Sequence, residues 1–156
     1  TMASRYSTAA YNWATRFFSS PTGQDVTQGV AETLTGSTLP GSVAGNVGRL
    51  AKSELETGLR LAQRLGETLR VSDHIGAEFV SAAGKTFDAM GSPQAYANWN
   101  QVEFFNSINH HLTKSVDFTV IDFTGASKSQ VDAIRGYVLG LRKELQDKIM
   151  FVGEYF

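Results

Sequence analysis

The stretch V116-D-F-T-V-I-D-F-T-G125 decides the fold. β-branched and aromatic residues fill positions 116–123, a composition that suits an extended strand. Side chains alternate between faces along such a strand. Phe118, Val120 and Asp122 therefore share one face, and Asp117, Thr119, Ile121 and Phe123 the other. It is the strongest strand signal in the chain.

Working outward, the pattern alternates between helix and strand. Residues 85–90, KTFDAM, read as a short strand. Residues 100–114, NQVEFFNSINHHLTK, read as a helix with Gln101, Phe104, Phe105, Ile108 and Leu112 on one side. Residues 129–148 read as a second helix, with Val131, Ile134, Val138, Leu141 and Leu145 inward, and 149–153 as a last strand. Strand, helix, strand, helix, strand implies a small, mostly parallel βαβαβ sheet with helices packed over it. FDAMG, VIDFTG and MFVG each run from an apolar strand into a glycine. Gly91, Gly125 and Gly153 are thereby predicted to lie along the carboxyl edge, where such sheets bind ligands. Residues 73–83 have Ile75, Phe79 and Ala83 at helical spacing, with Ser72 and Gly84 as cap and stop. They are read as a helix, with a strand over 77–82 as the alternative.

The N-terminal half has a different grammar. Tyr6, Ala10, Trp13 and Phe17 fall on one helical face. Gly, Ser, Thr and Pro fill residues 19–45 as a linker would. Residues 46–70 read as an amphipathic helix with Ala51, Leu55, Gly58, Ala62, Leu65 and Leu69 on one side. This divides the chain into a helical segment, 1–72, which could serve for entry or as a linker, and an α/β domain, 73–156. Thr1 is not an initiating residue, so an excised piece of a longer chain, or a cloning remnant at its start, is expected.

Composition narrows the function classes. The chain has 156 residues, 42% hydrophobic and 19% charged, enough for one domain with a core of its own. No apolar run is long enough for a spanning helix, and no signal peptide opens the chain, so stable membrane insertion is not expected. With no cysteine there are neither disulfides nor thiolate zinc sites. The net charge is −1, with seven Lys/Arg against five Asp/Glu in 1–72 and seven against ten in 73–156. An acidic C-terminal half that handles nucleic acid needs a local basic patch, a metal ion or a helper protein.

Candidate chemistry gathers between residues 88 and 128. Glu103, Ser107, His110 and Lys114 form a polar stripe on the helix, while His111 stands at its border beside Phe104. A half-buried histidine held by a neighbour is how a general acid or base is oriented, although a charge near a helix C-terminus explains the same residues without catalysis. Adjacent histidines diverge by about 100° and make a poor metal pair, so no zinc site is expected. Asp88 and Asp122 end their strands at similar places. In a parallel sheet they are expected to converge, with Glu154 able to join them, and Mg²⁺ is the ion such a cluster would hold. Ser127 and Lys128 suggest a phosphate cradle; the competing explanation is Ser129 capping the helix with Asp132 three residues on. Trp99, between two asparagines, offers a stacking surface, and Lys85 a cation at the head of the FDAMG strand. No GxGxxG is present, so a stable redox cofactor is not expected.

The run GKTFDAMGSP, then WNQVEFFNSINHHLTKSVDFTVIDFTGASKSQVDAIRGYV, then KIMFVGEYF resembles the C-terminal toxin domains of polymorphic bacterial toxins of the contact-dependent growth inhibition, two-partner-secreted type. The resemblance covers roughly residues 84–156 and is most specific at His-x-x-Lys and the VDFTVIDFTG strand. It implies a toxin delivered from the cell surface as the end of a larger protein, acting in the target cytoplasm and neutralised by a cognate immunity protein. It implies a nuclease, with transfer RNA the favoured substrate and a host activator protein as a further partner. His111, Lys114, Asp122 and Asp88 fall on its motif positions as catalytic candidates. Trp99, Ser127, Lys128 and Lys85 complete the list as substrate-binding candidates. No Glu-x-Lys or Asp-x-Lys lies in the strands, which favours metal-independent RNA cleavage over a restriction-type DNase. A nucleotide- or NAD-consuming toxin on the same sheet, and a non-catalytic interaction module, are the alternatives.

Overall fold

The computed structural model describes residues 39–154. The expected helix over Tyr6–Phe17 and most of the 19–45 linker lie outside the described residues. Six strands form one sheet in sequence order: β1 (Val43–Ala44), β2 (Leu69–Val71), β3 (Phe79–Val80), β4 (Thr86–Met90), β5 (Phe118–Asp122) and β6 (Ile149–Val152). The pairs β1–β2, β4–β5 and β5–β6 are parallel, and β3 is antiparallel to both neighbours. The parallel β4–β5–β6 unit is the predicted βαβαβ core. Among the described residues no helix is long and apolar enough to cross a membrane.

Helices cover both faces. On one face α1 (Lys52–Leu65) lays Leu59, Leu61 and Ala62 against Phe79, Phe87, Phe118 and Val120. On the other, α3 (Gln101–Leu112) and α4 (Lys128–Leu139) bring Phe104, Ile108, Val131 and Ile134 against Met90, Ile121 and Phe123. The alternation read for residues 117–123 is therefore the division between the two cores. A short helix, α2 (Pro93–Ala97), follows β4. Ser92 caps it by accepting from Ala95 N at 3.2 Å, and Pro93 begins it, where a missing N–H costs nothing. A last turn, α5 (Lys143–Gln146), precedes β6.

Four local readings are corrected. Residues 73–83 are not a helix. Gly76 lies at φ +92° in a loop, Ile75 is 95% exposed, and Phe79 is a fully buried strand residue. Three apolar residues at helical spacing cannot outweigh the sheet contacts that Phe79 makes with Phe87. The helix expected over 46–70 is shorter, because Gly66 adopts the left-handed conformation (φ 65°) as its C-cap and releases Leu69 and Arg70 into β2. The 129–148 helix breaks after Leu139. Gly140 ends it and Arg142 leaves the helical conformation, so Leu141 reaches the core from the connection and Leu145 from a separate turn. Ser127 rather than Ser129 is the N-cap of α4, in a reciprocal capping box with Gln130. Residue 72 itself lies between β2 and β3.

Candidate active site

Strand parity and helix phase meet at Asp88. Phe87 and Ala89 face α1, so Asp88, between them, points to the α3 side, where it is completely buried. There it meets the end of α3. His111 Nδ1 lies 2.5 Å from Asp88 Oδ2. Lys114, two residues past the last helical position, donates from Nζ to Asp88 Oδ1 at 3.2 Å and stands 3.3 Å from His111 Nδ1. Burial by itself would push the Asp88 carboxyl up. The hydrogen bonds from His111 and Lys114, with the charge of His111, outweigh burial and hold it below the ordinary carboxylate range. An ionised carboxylate only accepts, so the shared proton sits on His111 Nδ1; when the ring is neutral, its lone pair is then on Nε2. Nε2 has no protein partner among the described residues. His111 thus has the tautomer and anchoring of a general base, and its side chain keeps 17% exposure.

A cleft of about 350 Å³ opens beside this ring. Met90 and Phe104 supply its apolar wall. Asn98, Asn100, Glu103 and Ser107 supply its polar groups, and His111 closes one end. It lies at the carboxyl end of β4, the edge that the three glycines marked. Gly91, Gly125 and Gly153 all have positive φ there. Because β3 is only two residues long, the end of β4 is paired with β5 alone, and a second cleft of about 180 Å³ reaches the same Ala89–Gly91 stretch from the α1 side.

Asp122 is not part of this cluster. The two carboxylates were expected to converge, but the register pairs Asp88 with Thr119, and Asp122 projects from the opposite face of the sheet. There it accepts from Thr57 Oγ1 (2.6 Å), Arg60 NH1 (2.8 Å), Thr124 N (2.9 Å) and Thr124 Oγ1 (2.7 Å). Glu154 pairs with Arg135 instead of joining either aspartate. Among the described residues no group of three or more His, Asp or Glu is placed to hold a metal ion.

The other candidates are dispersed. Trp99 packs against Tyr96 and Phe104, with ring centroids 6.1 and 5.1 Å away. Ser127 caps α4 and Lys128 pairs with Asp132 at 2.8 Å, beyond β5. Lys85 sits at the opposite end of the sheet, in the turn before β4. His110 is exposed, its ring turned 77° from that of His111.

Sequence reasoning missed Glu78. It stands just before β3, across from Asp88, and accepts from Ala89 N at 2.7 Å. Burial, then the charge of Asp88, push its carboxyl up to about 8, so near neutrality Glu78 keeps a proton while Asp88 carries the charge. Reading 77–82 as a strand would have exposed this pairing, since Glu78 and Val80 then share a face with Asp88.

With that geometry in place, one solved structure is informative: the CdiA-CT toxin from Burkholderia pseudomallei E479 in complex with its cognate CdiI immunity protein. The likeness has a TM-score of 0.54 at 24% identity, covering 65% of this chain and 99% of the other. The two chains share a fold. Nothing matches among protein-family models or curated proteins.

Proposed function

We propose that this chain is the toxin domain of a contact-dependent growth inhibition protein and that it cleaves RNA, transfer RNA being the favoured substrate. The fold shared with the CdiA-CT toxin and the sequence resemblance over residues 84–156 support the toxin reading. The observation that carries the chemistry is the buried Asp88 holding His111 and Lys114 at the end of an open cleft.

Asp88 orients the imidazole, and His111 Nε2 takes the proton of a ribose 2′-hydroxyl. The 2′-oxygen attacks the adjacent phosphorus, and the bond to the 5′-oxygen breaks. That oxygen takes a proton from water, leaving a 2′,3′-cyclic phosphate and a 5′-hydroxyl. Lys114, 27% exposed, offers the positive charge that the crowded phosphorus centre requires. In this reading a cognate immunity protein covers the domain in the producing cell, and the toxic act takes place in the cytoplasm of the target cell after delivery from the surface. A host activator protein is the partner that would offset the acidic C-terminal half.

The test is induction of the chain in bacteria with total RNA followed on a gel. Discrete RNA fragments with intact dinucleotide pools are expected. His111→Ala should remain folded and cleave at least about 100-fold more slowly. Depleted NAD with intact RNA, or undiminished toxicity of a soluble His111→Ala chain, would falsify the assignment.

A further inference from the structure

The cleavage step uses one end of the 350 Å³ cleft and leaves the rest of its equipment idle. Glu103, Ser107 and His111 recur every four residues along α3, so they form one line of groups about 12 Å long from first to last. Asn100 caps the helix, its Oδ1 accepting from Glu103 N at 3.1 Å, which leaves its amide N–H groups to the cleft. The carboxylate of Glu103, the hydroxyl of Ser107 and the side-chain amide of Asn98 have no protein partner among the described residues. Phe104 and Met90 present flat and pliable apolar surface between these polar groups. Apolar walls with a few convergent polar groups are what a small planar ligand needs, and the volume suits one nucleoside.

We propose that this cleft is a nucleobase subsite selecting guanine, seating the nucleoside whose ribose faces His111. The proposal rests on the ribonuclease reading for its catalytic meaning, but the recognition stands on the chemistry of Glu103. An ionised carboxylate only accepts hydrogen bonds, through two oxygens side by side. Guanine alone among the four RNA bases offers two adjacent donors on its pairing edge, N1–H and N2–H₂. Adenine and cytosine place a ring-nitrogen acceptor beside their amino group, and uracil flanks its N3–H with two carbonyls. Each of those would set a lone pair against the carboxylate and leave a polar atom unpaired. The amides of Asn98 and Asn100 are donors suited to guanine O6 and N7. With the pairing edge at Glu103, the sugar lies toward Ser107 and the phosphate toward His111 and Lys114.

The test titrates the wild-type chain with the 3′-monophosphates of guanosine, adenosine, cytidine and uridine, none of which has a bond to cleave. Guanosine 3′-monophosphate should bind about tenfold or more tightly than the other three. Glu103→Gln, a change at an exposed position, should leave thermal unfolding unaltered and erase most of that preference. Equal binding of all four nucleotides, or a preference untouched by Glu103→Gln, overturns the subsite. Mapping the ends of cleaved RNA separates the two readings. Cleavage without guanine bias sinks the subsite and leaves the ribonuclease standing. Selective binding of guanosine 3′-monophosphate by a chain that cuts no RNA keeps the subsite and removes the ribonuclease.

Discussion

Asp122 accepts from four donors: Thr57, Arg60 and the N–H and hydroxyl of Thr124. Two carboxylate oxygens offer about four lone-pair sites, so its capacity is filled. The side chain ties α1 to the end of β5, and Tyr96 adds a bond of 2.6 Å to the Asp122 carbonyl from the other side. Gly153 passes so close that any Cβ there would strike the carboxylate. Removing the buried carboxylate takes away the acceptor of Thr57 and leaves Arg60 only Glu56, 3.9 Å away. Asp122→Ala should therefore lower stability by about 3 kcal/mol, measured by urea unfolding. An unchanged midpoint would mean that this network holds nothing together. Asp88 is also a buried strand aspartate, yet its partners are a histidine that lines the cleft and a lysine beside it. The difference between the two carboxylates lies entirely in which helix each one faces.

At the scale of elements, the close seat of α1 on the sheet depends on Gly58. A Cβ at that position would enter the ring of Phe79, which is fully buried. Alanine favours a helix over glycine by about 1 kcal/mol, but overpacking a core aromatic costs about 1–3 kcal/mol. The steric term should win, so Gly58→Ala is expected to destabilise by about 1–2 kcal/mol. Pairing it with Phe79→Leu should cost less than the two single changes added together, because the smaller side chain leaves room for the methyl. Additive losses in thermal unfolding would show that the contact is not the cause. Further along the chain, α3 has Asn100 at its N-cap, and after Leu112 the chain turns so that His111 and Lys114 close on one carboxylate.

For the whole molecule, the paired carboxyls make stability depend on pH in two directions. Glu78 has its folded pKa raised from 4.5 to about 8. Between those values the unfolded chain has released this proton and the folded chain retains it, so stability falls as pH rises through the window. The change should be on the order of 2 kcal/mol, allowing for solvent on the open side of the carboxyl. Glu78→Gln, which keeps an acceptor for Ala89 N, should flatten that slope in unfolding measured across the same range. Asp88 acts in the opposite sense. Its pKa is held below 3.8, so its contribution is complete above that value and disappears as pH falls below it. A wild-type chain with no loss of stability between pH 4.5 and 8 would show that Glu78 is ionised in the fold.

By itself the sequence determined the parallel β4–β5–β6 core, a helical connection between each pair of its strands, and the alternation of 117–123 between two faces. These follow from periodicity, a property of neighbours along the chain. It also singled out His111, Lys114 and Asp88. Tertiary structure alone decided that these three meet while Asp122 turns away. That outcome depends on strand parity combined with the register of β4 against β5, and a shift of one residue would exchange the faces. The same holds for Glu78 and for residues 73–83. Two strand residues are too short to carry a periodic signal, and β3 exists because Phe79 finds Phe87 on one side and the bare Gly58 above it.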